Sequence, residues 1–229
     1  MKTAAISQSN YIPWKGYFDL INSADVFVIY DIVQFTKNDW RNRNQLIVNG
    51  RPQWLTIPVK HNTLKQTIDE TQIASPIWAK KHWLTIKQNY CKTPGFKLYA
   101  DELSSLYSSL SSERNLSAVN EAFIRRCCEL LGIKTEIVRA SDFSLPMDRI
   151  NRISSLCKQL DCNTYLSGPA AQSYLQPENF KGANIELQWM DYQDYPEYKQ
   201  QSFTFTHNVS IFDLLFNTET FKTPDYENH

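Results

Sequence analysis

Hydrophobic and polar positions alternate along the chain between two periods. Thr3 to Ser7 is a short apolar run that ends in Gln8-Ser9-Asn10-Tyr11-Ile12-Pro13, a segment of turn and loop formers, and so predicts a buried strand followed by a loop. From Trp14 onward, Tyr17, Phe18, Leu20 and Ile21 recur at helical spacing until Asn22-Ser23-Ala24-Asp25 interrupts them. Val26-Phe27-Val28-Ile29-Tyr30 is continuously apolar and rich in β-formers, as a strand covered on both faces of a parallel sheet requires. Strand, helix and strand make one βαβ unit. Asp31 to Asn44 is polar and aperiodic and reads as a long loop. Gln45 to Val48, Asn49-Gly50 and Arg51 to Val59 then spell a β-hairpin, because Asn-Gly suits a type I′ turn.

Helical spacing takes over in the middle of the chain. Trp78, His82, Ile86 and Tyr90 mark successive turns of a helix over Ile77 to Tyr90 that Pro94-Gly95 stops. Two more helices are predicted at about Tyr99 to Leu110 and Ser117 to Leu131, the second ending on Gly132. The βαβ rhythm returns with strands at Thr135 to Val138, Thr164 to Leu166 and Ile185 to Trp189, and a helix at about Asp148 to Leu160. A short apolar helix, Val209 to Phe216, is opened by Ser210 near its N-cap. The pattern predicts an α/β fold: a mainly parallel, Rossmann-like sheet with helices on both faces, plus a β-hairpin and a helical middle insertion at about 77–131. One domain is expected over residues 1–229. Such sheets bind ligands beyond the carboxyl ends of their strands. The loops at Gln8 to Lys15, Asp31 to Asn44 and Ser167 to Tyr174 all follow strands, and share one edge if those strands are neighbours.

Composition narrows the field of functions. The chain balances 24 Lys and Arg against 24 Asp and Glu, where a generic binder of nucleic acid or anionic membrane shows a basic excess. The first residues turn polar too soon for a signal peptide, and no apolar run reaches the length of a membrane span, so a cytoplasmic protein is expected. Five cysteines without C-x-x-C spacing argue against a disulfide framework or a zinc site and read as reduced thiols.

Several long motifs carry a family likeness. Gln8 to Phe18, Ala24 to Val28, Asp31-Ile32-Val33-Gln34-Phe35 and Trp40-Arg41-Asn42-Arg43-Asn44 resemble the WbqC-like family. So do Trp54 to Val59, Lys81-His82-Trp83, Tyr165-Leu166-Ser167-Gly168 with Tyr174-Leu175, and Ser210 to Asn217. The resemblance spans nearly the whole chain and implies a place among O-antigen and surface-polysaccharide gene-cluster proteins. A second resemblance, to the nucleotidylyltransferase superfamily, rests on Pro13-Trp14-Lys15-Gly16-Tyr17 and Ser167-Gly168; Tyr17 stands where that superfamily carries a phosphate-binding His.

Candidate chemistry concentrates in the loops. Gln34, Lys37, Trp40, Arg41, Asn42 and Arg43 combine cations, amides and a stacking ring, the mixture a phosphorylated or sugar-bearing ligand wants. The competing reading is a solvated loop with ion pairs such as Asp39 with Arg41 or Arg43. Gln8, Asn10, Tyr11 and Trp14 form a second binding group after the first strand, with core capping as the plain alternative. Ser167, Gly168 and Tyr174 extend the substrate-binding set on the third loop, where Ser167-Gly168-Pro169 otherwise reads as a strand-ending turn. His82 and Asp31 are the candidates for handling a proton; His207 sits in a polar loop, His61 in a polar turn, and His229 ends the sequence. Asp213 on the last helix suits a buried Arg partner such as Arg43, and Tyr192, Tyr195 and Tyr198 read either as a sticky surface or as core packing.

The leading expectation is a transferase acting on a nucleotide-activated sugar or similar phosphorylated small molecule, with acyl or aminoacyl transfer as one form. Lys37, Arg41 and Arg43 are assigned to anionic groups, and Gln34 and Asn42 to orientation. No tightly bound cofactor is expected; Asp31 with Asp39 is a weak Mg2+ site beside a phosphate. The expected partner is a phosphorylated small molecule, not DNA or a membrane, with homodimerisation left open. The alternatives are a non-catalytic binding module for a nucleotide or partner, and an RNA-contacting protein that uses Trp40, Arg41 and Arg43.

Overall fold

The computed structural model describes residues 1–60, 63 and 65–219; His61 and His229 lie outside the described residues. In chain order the elements are β1 (Thr3–Ser7), α1 (Lys15–Asn22), β2 (Val26–Ile29), β3 (Arg43–Val48), β4 (Arg51–Thr56), β5 (Val59–Lys60), β6 (Gln72–Ile73), α2 (Ile77–Tyr90), α3 (Phe96–Ser109) and α4 (Leu116–Leu131). They continue with β7 (Glu136–Arg139), α5 (Arg149–Gln159), β8 (Thr164–Ser167), α6 (Glu178–Lys181), β9 (Glu186–Trp189) and α7 (Ile211–Asn217). The chain forms two interleaved compact units. The first comprises Met1–Ser9, Gly16–Val33 and Ile133–Tyr195; the second comprises Asn10–Lys15, Gln34–Gly132 and the chain from Pro196.

The first unit is built on a five-stranded parallel sheet of order β7-β2-β1-β8-β9. Numbered within the sheet, that is third, second, first, fourth, fifth, the order of a doubly wound fold. Ala4 pairs with Val26 on one side and Tyr165 on the other, so β1 is central, and β2 and β8 are buried along their whole length. Burial on both faces explains why β2, Val-Phe-Val-Ile, is a continuous apolar run and not an alternation. Ala4, Ile6, Val26, Val28 and Tyr165 pack against Ile153, Leu156 and Cys157 of α5 and Phe180 of α6. On the other face Tyr17 of α1 meets Phe27 edge-on, ring centres 5.4 Å apart. Helices therefore flank both faces. Asp148 caps α5 through the Asn151 amide, and the three strands β2, β1 and β8 are neighbours, as the loop argument required.

The second unit combines the β3–β4 hairpin with three helices in the stretch 77–131 and the terminal α7. Asn49 and Gly50 both have left-handed backbones, φ 51° and 76°, the geometry of a type I′ turn. The predicted long loop is shorter than expected, because Arg43 and Asn44 already pair with Thr56 and Leu55 in the ladder. The second hairpin strand ends at Thr56, and Val59–Lys60 pairs instead with Gln72–Ile73. Helix α2 packs on α3 and β3, and α7 packs on the same two elements. Gly95 allows this: a Cβ there would stand 2.2 Å from the Leu215 and Thr218 carbonyls, and its amide donates to Phe216 O. The core is aromatic, with Tyr11, Tyr90, Tyr107, Phe123, Phe212 and Phe216 all fully buried, each contributing about 1.5–3 kcal/mol by leaving water. Helix α4 starts on an Asn115 cap and ends on Gly132 at φ 73°. Among the described residues no helix is long and apolar enough to cross a membrane.

Candidate functional site

Within the first unit, the carboxyl ends of β1, β2 and β8 bring together four of the expected residues. Gln8 and Ser9 follow β1, Asp31 follows β2, and Ser167 closes β8 before Gly168. The point between β1 and β8 is where the strand order reverses, the position at which doubly wound sheets in general bind ligands. Asp31 is buried and accepts from the Ser9 amide at 2.7 Å and the Ser9 hydroxyl at 2.6 Å. That clamp joins the two loops. Tyr17 donates to the Gln8 carbonyl at 3.0 Å, and Tyr165 to the Ser167 hydroxyl at 3.3 Å. A Cβ placed on Gly168 would touch only Tyr192, at 3.6 Å from its hydroxyl, so the backbone here is open to close approach. Burial, reinforced by Asp19, pushes the Tyr192 hydroxyl up to about 12. Tyr174 lies in the same unit with its ring under the Arg149 guanidinium, 3.9 Å away.

Within the second unit, Asn10, Pro13, Trp14, Trp40, Asn44 and Asn208 line a cavity of about 240 Å³. The loop from Asn10 to Trp14 is held from several sides. Tyr11 N donates to Trp40 O at 3.0 Å, Ile211 N donates to Pro13 O at 2.7 Å, and Asn44 Nδ2 donates to the carbonyls of Tyr11 and Ile12 at 3.2 and 2.8 Å. These contacts fix Ile12, a fully buried β-branched residue, at a φ of 38°. A backbone conformation so unfavourable persists only where its surroundings over-determine it, and costs about 1–3 kcal/mol. Nothing in Asn-Tyr-Ile-Pro announces it, since a residue before proline prefers an extended backbone.

The polar loop lies in this unit too. Gln34 and Lys37 are exposed, and Gln34 forms an isolated bridge with Thr67. Trp40, 38% exposed, leans on Trp54 with ring centres 5.1 Å apart. Arg41 donates to Asn10 Oδ1 and stands 3.7 Å from the Asp39 carboxylate, the ion pair foreseen as the plain reading of this loop. Arg43 donates to Asn38 O and lies 4.2 Å over the Trp54 ring, while its Nε is buried without a hydrogen-bond partner. Asn42 donates to Ile57 O, and its buried Oδ1 has no partner.

His82 is enclosed. Its Nδ1 meets the Tyr11 hydroxyl at 2.8 Å, which in turn meets Tyr107 at 2.7 Å, with Trp78 packed edge-on. Burial pushes its pKa down to about 4, opposed by a hydrogen bond to the Thr56 backbone, so the ring is neutral at pH 7. His207 packs on Phe205, and burial lowers its pKa as well. Asp213 does not pair with Arg43: it accepts from Tyr90 at 2.5 Å and from Tyr198 and Gln200 at 2.6 Å each. Burial raises its pKa, and the three donors pull the other way. Tyr198 is thus committed inward, and Tyr195 likewise donates to Asp19. Among the described residues no three His, Cys, Asp or Glu side chains are grouped to hold a metal ion. Ser9, Asn44 and Asn208 went unnoticed as site-forming residues, because their partners are distant in sequence.

The sequence profile of the WbqC-like protein family matches residues 8–223. A protein of Mycobacterium tuberculosis (strain ATCC 25618 / H37Rv), named Uncharacterized protein Rv1507c, is 42% identical over 227 residues, covering 99% of this chain and 97% of the relative. No solved structure matches.

Proposed function

This chain belongs to the WbqC-like family, and on that premise we propose that it is a transferase acting on a nucleotide-activated sugar or similar phosphorylated small molecule in surface-glycan or related biosynthesis. The observation that carries the reading is the doubly wound strand order of the first unit, with polar loops after the adjacent strands β1 and β8. Phosphorylated ligands bind at such switch points because backbone amides and strand-end side chains converge there without a covering helix. Gln8, Ser167 and Gly168 are assigned to the ligand, with Gly168 admitting a phosphate or ribose against bare backbone. Asp31 is the proton-handling group; the enclosed His82 is assigned to holding Tyr11. Acyl or aminoacyl transfer is one form of the reaction. In the second unit the exposed Lys37 is assigned to an anionic group of a ligand, whereas Arg41 is engaged by Asn10 and Asp39 and Arg43 by the Asn38 carbonyl and the Trp54 ring.

The test is thermal unfolding against nucleotides, nucleotide sugars, coenzyme A and acyl donors, each with and without Mg2+. A ligand at a hundred times its Kd stabilises by about 2.7 kcal/mol, which for a chain of this length raises Tm by roughly 5–11 °C. Gly168→Ala should unfold at the wild-type temperature, since its φ of −70° suits any residue and the added Cβ finds space, yet lose the shift. A panel with no stabilising nucleotide or phosphorylated compound would refute the proposal. It would favour the alternative of a non-catalytic binding module, to which the enclosure of His82 already lends weight.

A further inference from the structure

The cavity of the second unit differs in chemistry from the strand edge of the first. Its walls are two indole rings, one proline ring and three carboxamides, with no ionisable side chain among them. The cations adjacent in sequence to its indoles are engaged by the protein, Arg41 by Asn10 Oδ1 and the Asp39 carboxylate, and Lys15 by the Pro196 carbonyl and the Tyr198 ring. A phosphate or carboxylate would therefore enter without a countercharge, against a steep desolvation cost. At about 240 Å³ the cavity is smaller than the roughly 300–1,000 Å³ that drug-sized ligands fill, and suits one ring rather than a whole nucleotide sugar.

We propose that this pocket binds a single uncharged sugar ring. A pyranose has an apolar face of C–H groups and a rim of hydroxyls that each donate and accept. Indole faces match the first, and carboxamides, which also donate and accept, match the second. The Asn10 amide has a fixed polarity: a guanidinium only donates, so the atom facing Arg41 is the carbonyl oxygen, and the NH2 is left for the ligand. Asn44 spends its side chain on the Tyr11 and Ile12 carbonyls and on the Gln45 amide, and so serves as a wall that fixes the loop. Asn208 is exposed at the rim. Trp40 is buttressed by Trp54, which carries Arg43 on its ring, so a stacking surface is held in place before any ligand arrives. The strained Ile12 is the backbone counterpart of that pre-organisation. A planar nucleobase would stack as well, but it presents its polar groups only in its plane, whereas the two amides left for a ligand, Asn10 and Asn208, come from two separate stretches of chain.

The experiment uses the full chain and free ligands: N-acetylglucosamine, glucose, galactose and rhamnose in one arm, uridine and adenosine in the other, read by saturation-transfer NMR and tryptophan fluorescence. Binding of at least one sugar at roughly millimolar Kd is expected, weakened about tenfold or more in Trp40→Ala and in Asn208→Ala, two variants at exposed positions. The proposal is overturned if no sugar binds, if sugar binding survives both substitutions unchanged, or if a nucleoside binds tighter than every sugar. Gly168→Ala should leave free-sugar binding intact, so this result and the nucleotide result can fail separately.

Discussion

Asn44 is the residue on which the strained loop depends, and Asn44→Ala isolates its contribution. The side chain is 2% exposed and supplies two hydrogen bonds to the carbonyls of Tyr11 and Ile12, both fully buried. Removing it leaves two buried acceptors short of a partner, at about 1–3 kcal/mol each. The loop then relaxes, and Ile12 recovers the roughly 1–3 kcal/mol stored in its left-handed backbone. At mid-range, a loss of about 4 kcal/mol set against a recovery of about 2 leaves a net loss of about 2 kcal/mol. For a chain of this length each kcal/mol lowers Tm by about 2–4 °C, so a mid-range loss of 2 kcal/mol means a drop of about 4–8 °C. Urea unfolding followed by tryptophan fluorescence measures it, and the same variant should lose sugar binding, because Pro13 and Trp14 follow the released residues. A stability within about 0.5 kcal/mol of wild type would refute the claim that this amide holds the loop.

Three further outcomes follow from groups outside that loop. His82 has a folded-state pKa of about 4, below its unfolded value, so the unfolded chain binds more protons between about 6.5 and 4 and stability falls as pH falls through that window. Urea midpoints from pH 7 to 4 should drop more steeply for the wild type than for His82→Gln, and parallel curves would contradict the assignment. Tyr90 both donates to Asp213 and accepts from the buried Ile47 amide at 2.9 Å, whereas Tyr198 donates to Asp213 and accepts only from Gln200 at the rim. Tyr90→Phe should therefore cost about 1–3 kcal/mol and more than Tyr198→Phe, and the reverse order in thermal unfolding would be a failure. Cys91 is exposed, while Cys127, Cys128, Cys157 and Cys162 are buried with their thiols pushed up by burial, Cys128 and Cys157 to about 12. A disulfide reagent should titrate one thiol quickly in the native protein and the rest only in denaturant; two fast thiols would mean a core less closed than described.

Features set by neighbours along the chain were legible in the sequence. The helix over Ile77 to Tyr90 has the predicted ends, and its four predicted core positions are buried. The Asn-Gly turn and the Gly132 cap adopt the backbone their residue types favour. The strand at Thr3 to Ser7 also ends where expected, since its apolar run stops there. Features set by distant partners were not legible. Arg43 and Asn44 look like loop residues, yet they belong to a strand because Thr56 and Leu55 pair with them. Arg43 lies diagonal to Trp54 across that ladder, close enough to sit on its ring, and this takes it away from Asp213. Val59–Lys60 and Gln72–Ile73 are too short to signal a strand on their own. The Asp31 carboxylate was visible as a candidate, but its partner Ser9, 22 residues earlier, was not. Asn208 comes to the pocket from the far end of the chain with no local pattern to mark it.

The interleaving of the two units sets a schedule for synthesis. The chain passes between them after Ser9, Lys15, Val33, Gly132 and Tyr195, so neither unit is a continuous stretch. At the ribosome β1 and β2 emerge first, and β7, the next strand of their sheet, follows about a hundred residues later, roughly 5–20 s at ordinary rates of synthesis. During that interval β1 and the fully apolar β2 wait without their outer neighbours, and strands with such open edges are prone to pair with the wrong chain. The second unit closes later still, when α7 delivers Asp213 to Tyr90. A truncation anywhere before α7 therefore leaves both tyrosine and hairpin partners unmet, and a nascent chain arrested there is the species on which a chaperone would act.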